Sequence, residues 1–473
     1  MNQMTLENQE YQNPLGVKPI GNLLVTFSVP AIISCLINSI YNIVDQIFIG
    51  QGVGYLGNAA TTVAFPIMTI LLAFGTLIGS GASAYAAIRL GEKKKEEAEM
   101  TLNNAFLFSF LIGIILMVVG LIILKPMLKA FGATDNVMPY AIDYTSIILI
   151  GTPFNLISIS LSNLARTDGH PRLSMYGMMI GAALNTILDP IYIFVLHWGV
   201  KGGAIATITS QIISAVVLFA YFVRSNERPE HMQIHKNKLR LNFSLVKSFL
   251  ALGISSGITQ SVACIMQVVM NNSLVYYGNQ DPIGGDVALS AMGIVMKISM
   301  IMAAFAIGIG IGAQPILGYN RGARHYHRMK KTYLLAVIFA TASIVVLWII
   351  CQLFPGMIIG IFGNESAAFT NFAIQCLRIY LFGIFCAGFQ IVSTNYFQAT
   401  GQPLKASILS ALRQLLLLIP LIIILPMFMG LHGILFSAPI ADITSAVIVA
   451  CFIIPEMRKL NRYIKKEDLE NVH

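Results

Sequence analysis

Long apolar runs alternate with short polar connectors from residue 21 to residue 454. A helix crosses a bilayer in about 20 residues, and each run is at least that long. Twelve spans are predicted, near 21–49, 57–88, 101–124, 138–165, 172–197, 200–223, 244–277, 287–319, 331–354, 368–398, 404–428 and 431–454. Several exceed the minimum, which implies tilt or protrusion rather than extra spans. Backbone groups in hydrocarbon have no water to bond, so such runs must close their own hydrogen bonds as helices. The expected fold class is therefore an all-α membrane protein with twelve transmembrane helices.

Composition agrees with the pattern. The chain is 56% hydrophobic and only 11% charged, against about 25% charged in a soluble domain. The net charge of +9 could point to nucleic acid, but its distribution does not. With both termini inside, the inner segments collect 24 of the 30 Lys and Arg, and the outer loops hold only Lys125, Lys129 and Lys201. That asymmetry places both termini in the cytoplasm and makes nucleic acid an unexpected partner. The polar start, residues 1–20, lacks the apolar core of a cleavable signal. Six cysteines lie inside apolar segments without paired or metal-type spacing and read as reduced packing residues.

The longest inner polar stretch, 224–243, falls near the midpoint and reads as a linker between a lobe at 21–223 and a lobe at 244–454, with a basic tail at 455–473. The two lobes resemble each other. Gly79, Gly81 and Ala82 leading to Gly91 match Gly310, Gly312 and Ala313 leading to Gly322. Asn163, Gly169 and Pro171 match Asn395, Gly401 and Pro403, and Gly199 with Gly202 matches Gly430 with Gly433. All three matches fall at an offset of 231 or 232, the mark of an internal repeat. Six spans per repeat give both halves the same orientation, so the pseudo-twofold axis runs along the membrane normal. Two six-helix bundles around a central cleft is a transporter architecture.

Asp189 is the most informative polar residue. A carboxylate within a span costs about 3 kcal/mol by insertion scales unless partnered, protonated or wetted. Asn185 stands one turn earlier on the same helix face, and Pro190 follows and frees a backbone carbonyl. Asp189 reads as a coupling group whose protonation lets helices repack, or as a structural acid bonded to the freed backbone. Asp45, near the outer end of the first span, reads as a functional acid or as an interfacial one. The matching regions of the second half, near Asn271 and at Leu418-Ile419-Pro420, carry no acid.

The sequence resembles the multidrug and toxic compound extrusion (MATE) family, and within it the MepA-type exporters. The resemblance is carried by Val44-Asp45-Gln46-Ile47-Phe48-Ile49-Gly50, the Gly79–Gly91 segment, Leu164-Ala165-Arg166 with Gly169-His170-Pro171, Asn185 through Asp189-Pro190-Ile191, and Gln398 through Gly401-Gln402-Pro403. It implies a secondary transporter that exports organic cations and other amphipathic drugs in exchange for H⁺ or Na⁺, by rocking of two lobes. It also implies a cation-coupling site at Asp45 and Asp189, with Asn185, Asn163 and Thr207 completing the network and Thr209 as the rival of Thr207. The MepA-type branch often has Asn where this chain has Asp45. Protonation of the acids or Na⁺ coordination by their oxygens are both open.

The second lobe carries its own charges within spans, Lys297, Arg413 and Asp442. They line a cavity for acidic ligands or form an internal pair such as Arg413–Asp442. Met266 and Met270 in the seventh span, with Met292, Met296 and Met300 in the eighth, border the expected cleft. Methionine surfaces adapt to varied ligands, and helix packing is the commoner use of such a stripe. The chain is thus expected to be a monomeric multi-pass protein of the cell (inner) membrane. Its expected partners are small-molecule drugs and organic cations within the lipid bilayer, with no cofactor beyond the coupling ion and no resident metal except a possible Na⁺ at Asp45 and Asp189. No enzymatic motif is found, neither an Asp-rich Mg²⁺ cluster nor a phosphate-binding glycine loop. The rival function is a related flippase for a lipid-linked or anionic amphiphile, whose cleft would be rich in Arg and Lys.

Overall fold

The computed structural model describes residues 13–224, 231–234, 240–360 and 367–470, less the side chains of Asn42, Ile43, Gln46, Ile47, Gly50, Tyr55, Asn58, Asp286, Ala367, Ala368 and residues 467–470. The start of the N-terminal segment, most of the linker with Arg228, Lys236 and Lys238, and the side chains of Gln46, Ile47 and Gly50 in the first-span motif lie outside the described residues.

Twelve long helices carry the fold of the described residues. The first lobe holds α1 (Ile20–Val53), α2 (Tyr55–Gly91), α3 (Lys95–Ile122), α4 (Met138–Thr167), α5 (Pro171–Pro190) and α6 (Val200–Arg224). The second holds α7 (Phe243–Gly278), α8 (Gly285–Gly322), α9 (Tyr326–Leu353), α10, α11 and α12 (Leu431–Glu470). The helix α10 is broken: Ala367–Tyr380 and Ala387–Ala399 meet across a tight turn at Ile384–Cys386 with a bend of 40°. Helix α11 runs as Pro403–Ala411, a widened π turn at Leu412–Leu418, and Ile419–Ile424. Among the described residues eleven helices are long and apolar enough to cross a membrane, and the bent α10, taken as one span, makes twelve. The span predicted near 368–398 is this bent pair.

Side chains sort by partner. The periphery, on α3, α9 and the outer faces of α8 and α12, exposes Ile115, Val118, Ile338, Val346, Ile440 and Val447, which suits lipid. The interior forms one apolar cluster centred on the second lobe, which takes in Leu23, Leu24 and Phe27 of α1, and two centred on the first, one of which takes in Phe249 of α7. The repeat is visible in backbone geometry. Gly169 and Gly401 turn the chain at φ +90° and +78°, and Gly199 and Gly430 both at φ +57°, a left-handed conformation that a side chain resists.

The lobes meet through glycine. Helices α1 and α2 pack on α8 and α7 in their halves nearer the chain termini. A Cβ on Gly253 would fall on the carbonyl oxygen of Leu77, and one on Gly81 on that of Phe249. Gly91 sits in the same way against Tyr319, and Gly322 against Ile88. These last two contacts are one contact repeated at the offset of 231, so the pseudo-twofold axis passes between them. Gly308 and Gly312 of α8 lie against Ile32 and Ser28 of α1. Around these crossings Ser80 Oγ and Ser256 Oγ lie 2.7 Å apart, Gln398 Nε2 donates to Ser80 Oγ at 2.5 Å, and Gln314 Nε2 donates to the Ser80 carbonyl at 3.1 Å. The lobes are shut against each other on the termini side.

A methyl group at Gly253 is expected to force the lobes apart there. Overpacking costs about 1–3 kcal/mol, so Gly253→Ala should depopulate this closed arrangement by roughly 5- to 150-fold. Spin-label distances between termini-side positions on α2 and α7 check this; an unchanged distance distribution contradicts it.

Candidate functional site

Helices α1, α4, α5 and α6 enclose a polar pocket in the half of the first lobe away from the termini. Asp45 and Tyr41 stand on α1 four residues apart, so both point into it. Asn185 and Asp189 have the same spacing on α5, which widens into a π turn at Ile191–Val195 directly after Pro190. A proline removes one helical hydrogen bond, and the wider turn absorbs the defect.

The groups converge closely. The carboxyls of Asp45 and Asp189 face each other within hydrogen-bonding reach. Asn185 Nδ2 donates to Asp189 Oδ1 and to Thr207 Oγ1, both at 3.2 Å. The Tyr41 hydroxyl lies 3.5 Å from Thr207 Oγ1, and Tyr144 of α4 is buried within range of the charge of both acids. Asp45 is 7% exposed and Asp189 fully buried. Among the described residues, Asp45 Oδ1, Asp189 Oδ2 and Asn185 Oδ1 are buried and accept no hydrogen bond. Buried oxygens without donors are costly, and none of the pocket's described bonds comes from a Lys or Arg. Two carboxyls at this distance can share a proton or hold a hard cation between them.

The structure therefore brings together Asp45, Asn185, Asp189 and Thr207. Asp45 is not at a wetted interface, as one reading had it. Thr207, and not Thr209, makes the bond to Asn185.

Asn163 is elsewhere. Its Nδ2 donates to the Ile159 carbonyl at 2.8 Å and its Oδ1 accepts from Arg166 Nη2 at 2.7 Å. Arg166 also donates to Ser174 Oγ, and Ser174 precedes Asp189 by about 22 Å of helix rise. Asn395 donates to the Ile391 carbonyl in the same way, and each asparagine packs on its lobe's glycine, Gly79 or Gly310. Asn163 belongs to the duplicated scaffold, which is why it appeared in the repeat. Sequence reading missed Tyr41 and Tyr144. The i−4 spacing to Asp45 signals the first, and nothing local signals the second.

In the second lobe Arg413 Nε donates to Asp442 Oδ1 at 2.5 Å. Arg413 sits on the widened turn of α11, and Asp442 is 2% exposed on α12. The break in α10 packs on this pair: a Cβ on Gly383 would lie 2.8 Å from Asp442 Cβ, and Gln390 Nε2 donates to the Asp442 carbonyl at 2.6 Å. Lys297 is exposed on α8, about three turns before Gly308 and so on the face that there meets α1. Met266, Met270 and Met292 are buried in the second lobe's core, with Met296 packed against it. Of the stripe only Met300 is half exposed.

The Arg413 side chain is 30% exposed but Asp442 is buried, so removing the arginine leaves an uncompensated buried carboxylate. Arg413→Met is expected to destabilise the second lobe by about 3 kcal/mol, and Arg413→Met with Asp442→Leu to recover most of that loss. Thermal unfolding in detergent of the two single variants and the double variant measures the coupling; additive losses would contradict the pairing.

Comparison with known proteins places this architecture. The MatE family matches residues 30–191 and 260–424, one block in each lobe. The multidrug export protein MepA of Staphylococcus haemolyticus (strain JCSC1435) is 28% identical over 446 residues, 93% of this chain and 94% of the relative. MepA of Staphylococcus aureus (strain MRSA252) is 26% identical over 90% of this chain and 91% of its own. The structure of the MATE multidrug transporter DinF-BH superimposes with a TM-score of 0.86 at 32% identity, covering 93% of this chain and 96% of that one. An outward-facing multidrug resistance MATE transporter of the MOP superfamily has the same fold at a TM-score of 0.87 and 23% identity, covering 95% and 98%. With both lobes matched in order and the fold shared along nearly the whole chain, this protein belongs to the MatE family.

Proposed function

We propose that the protein is a multidrug efflux transporter that exports amphipathic, mostly cationic compounds across the cell membrane in exchange for H⁺ or Na⁺. The termini side, where basic residues concentrate, is the cytoplasmic side. The observation that carries the reading is the facing pair of buried carboxyls, Asp45 and Asp189, with three oxygens that lack donors. A pocket of this kind accommodates one small cation or proton. Emptied, it holds acidic groups without a counter-charge in a low-dielectric setting, which favours uptake of a cation from the outer side. Charge compensation by the ion and by a cationic drug are alternative ways to satisfy the same acids, and that exclusion is the basis of antiport. The relatives named multidrug export proteins, together with the DinF-BH multidrug transporter, support small-molecule drugs as cargo.

The lobes supply alternating access in this reading. The closed glycine crossings between α2 and α7 and between α1 and α8 are the cytoplasmic gate in its shut position, and separating them exposes the cleft to the cytoplasm. A flippase for an anionic amphiphile is less well supported, because Asp442 neutralises Arg413 and leaves Lys297 as the exposed cation on α8.

Ethidium movement in proteoliposomes, under an imposed pH gradient and then an imposed Na⁺ gradient, tests the proposal and names the ion. Asp189→Asn and Asp45→Asn are each expected to lower gradient-driven transport by about tenfold or more, the loss of about 1.4 kcal/mol or more of coupling. Tyr41→Phe, which keeps the ring and removes the hydroxyl near Thr207, is expected to weaken ion dependence by less. Transport surviving intact in both acid variants would refute the site, and no transport of ethidium under either gradient would refute the function.

A further inference from the structure

A second cluster of ionisable groups lies far from the carboxyl pocket, on the termini side of the first lobe. Asp168 and His170 flank Gly169 in the turn between α4 and α5, and His231 comes from the linker that joins the lobes. His231 Nδ1 lies 3.3 Å from Asp168 Oδ2, and His170 Nδ1 lies 4.0 Å from the same oxygen. The two imidazole rings meet edge to face with centroids 4.6 Å apart, and one ligand atom from each residue falls within 4.8 Å of the others. We propose that Asp168, His170 and His231 bind a divalent transition metal of the zinc class and so clamp the interlobe linker to the first lobe.

Three observations favour a ligand over a merely structural turn. The equivalent turn of the second lobe, Thr400-Gly401-Gln402, has the same left-handed glycine with neither an acid nor a histidine. The repeat scaffold thus does not need these side chains. The carboxylate is also held as metal-binding carboxylates are, by outer hydrogen bonds that fix its orientation: Tyr221 Oη donates to Asp168 Oδ2 at 2.6 Å and the Met232 amide to Oδ1 at 2.7 Å. Finally, the spacing is close to what a metal requires. Nitrogen and oxygen ligands at roughly 2.0–2.1 Å from a tetrahedral zinc stand about 3.3 Å apart. His231 and Asp168 are already at that separation, and His170 Nδ1 stands within an ångström of it from the same carboxylate oxygen. Two imidazoles select zinc, nickel or copper over magnesium or calcium. The fourth position falls to water or to the Tyr221 hydroxyl, which lies 2.9 Å from His170 Nδ1.

The site is tested on the full chain, purified in detergent with any histidine tag removed. Zinc titrated in competition with a chromophoric chelator is expected to load one ion per chain, insensitive to excess Mg²⁺. His170→Gln and His231→Gln are each expected to weaken binding at least tenfold, and zinc to raise the unfolding temperature of the wild type but of neither variant. Cobalt(II) in place of zinc is expected to give the visible bands of a tetrahedral nitrogen–oxygen site in the wild type, a readout independent of any variant's folding. No zinc bound to the wild type, absent cobalt bands, or equal binding by wild type and both variants would overturn the assignment.

Discussion

The two lobes touch backbone to backbone, and most of the molecule follows from that constraint. Within the bilayer, apolar surface gains nothing from leaving water, so helices associate through close packing and through polar groups that find partners. Glycines at 81, 91, 253 and 322 bring main chains so near that a methyl group would occupy the place of a carbonyl oxygen. Contact this tight between two bodies is either made or absent, because packed surfaces do not deform continuously. The seryl and glutaminyl groups of Ser80, Ser256, Gln314 and Gln398 then close their hydrogen bonds only when the glycines meet.

Duplication built the scaffold, and divergence supplied the chemistry. Both lobes repeat the asparagine that packs on a glycine and the left-handed turns, and each widens its fifth helix into a π turn, though at positions that do not correspond. Their buried charges differ. Where the first lobe has Asp189, the second has Pro420 or its neighbour, and where the second pairs Arg413 with Asp442, the first carries no charge. The second lobe's charges cancel at a 2.5 Å contact, whereas the first lobe's acids face each other. Among the described residues the uncompensated buried acids thus lie in the first lobe, which is where the proposed function puts the movable cation.

How much of this was legible in the sequence depends on the range of the interaction. Span number and the repeat follow from periodicity and composition, which are local, and the structure has both. Asn185 with Asp189 was readable because one helix turn sets their distance. The meeting of Asp45 with Asp189 and of Tyr144 with both depends on how three helices rotate against one another, and local pattern is silent there. Asn163 shows the converse: a polar residue within a span invites a functional reading, yet its bonds go to Ile159 and Arg166. The methionines follow the packing alternative for most of the stripe, but spacing alone places a stripe on a helix face without saying which neighbour covers it. The bend in α10 was hidden because its cause, Gly383 against Asp442, is a contact between distant segments.

Helix α1 joins the two regions on which the molecule turns. Ser28 and Ile32 meet Gly312 and Gly308 of the other lobe, while Asp45, about 20 Å further along the helix, faces Asp189. Pro30 lies between the contact residues and has no N–H to offer the Thr26 carbonyl, so the helix lacks one of its own hydrogen bonds where it touches its partner. Asp189 sits at the corresponding weak point of α5, beside Pro190 and the π turn. In the proposed function, an ion held between Asp45 and Asp189, or its departure, therefore acts on two helices already relieved of regular hydrogen bonds. One of those two is also part of the interlobe contact, so the carboxyl pocket and the glycine crossings share a mechanical element without any need for a longer path between them.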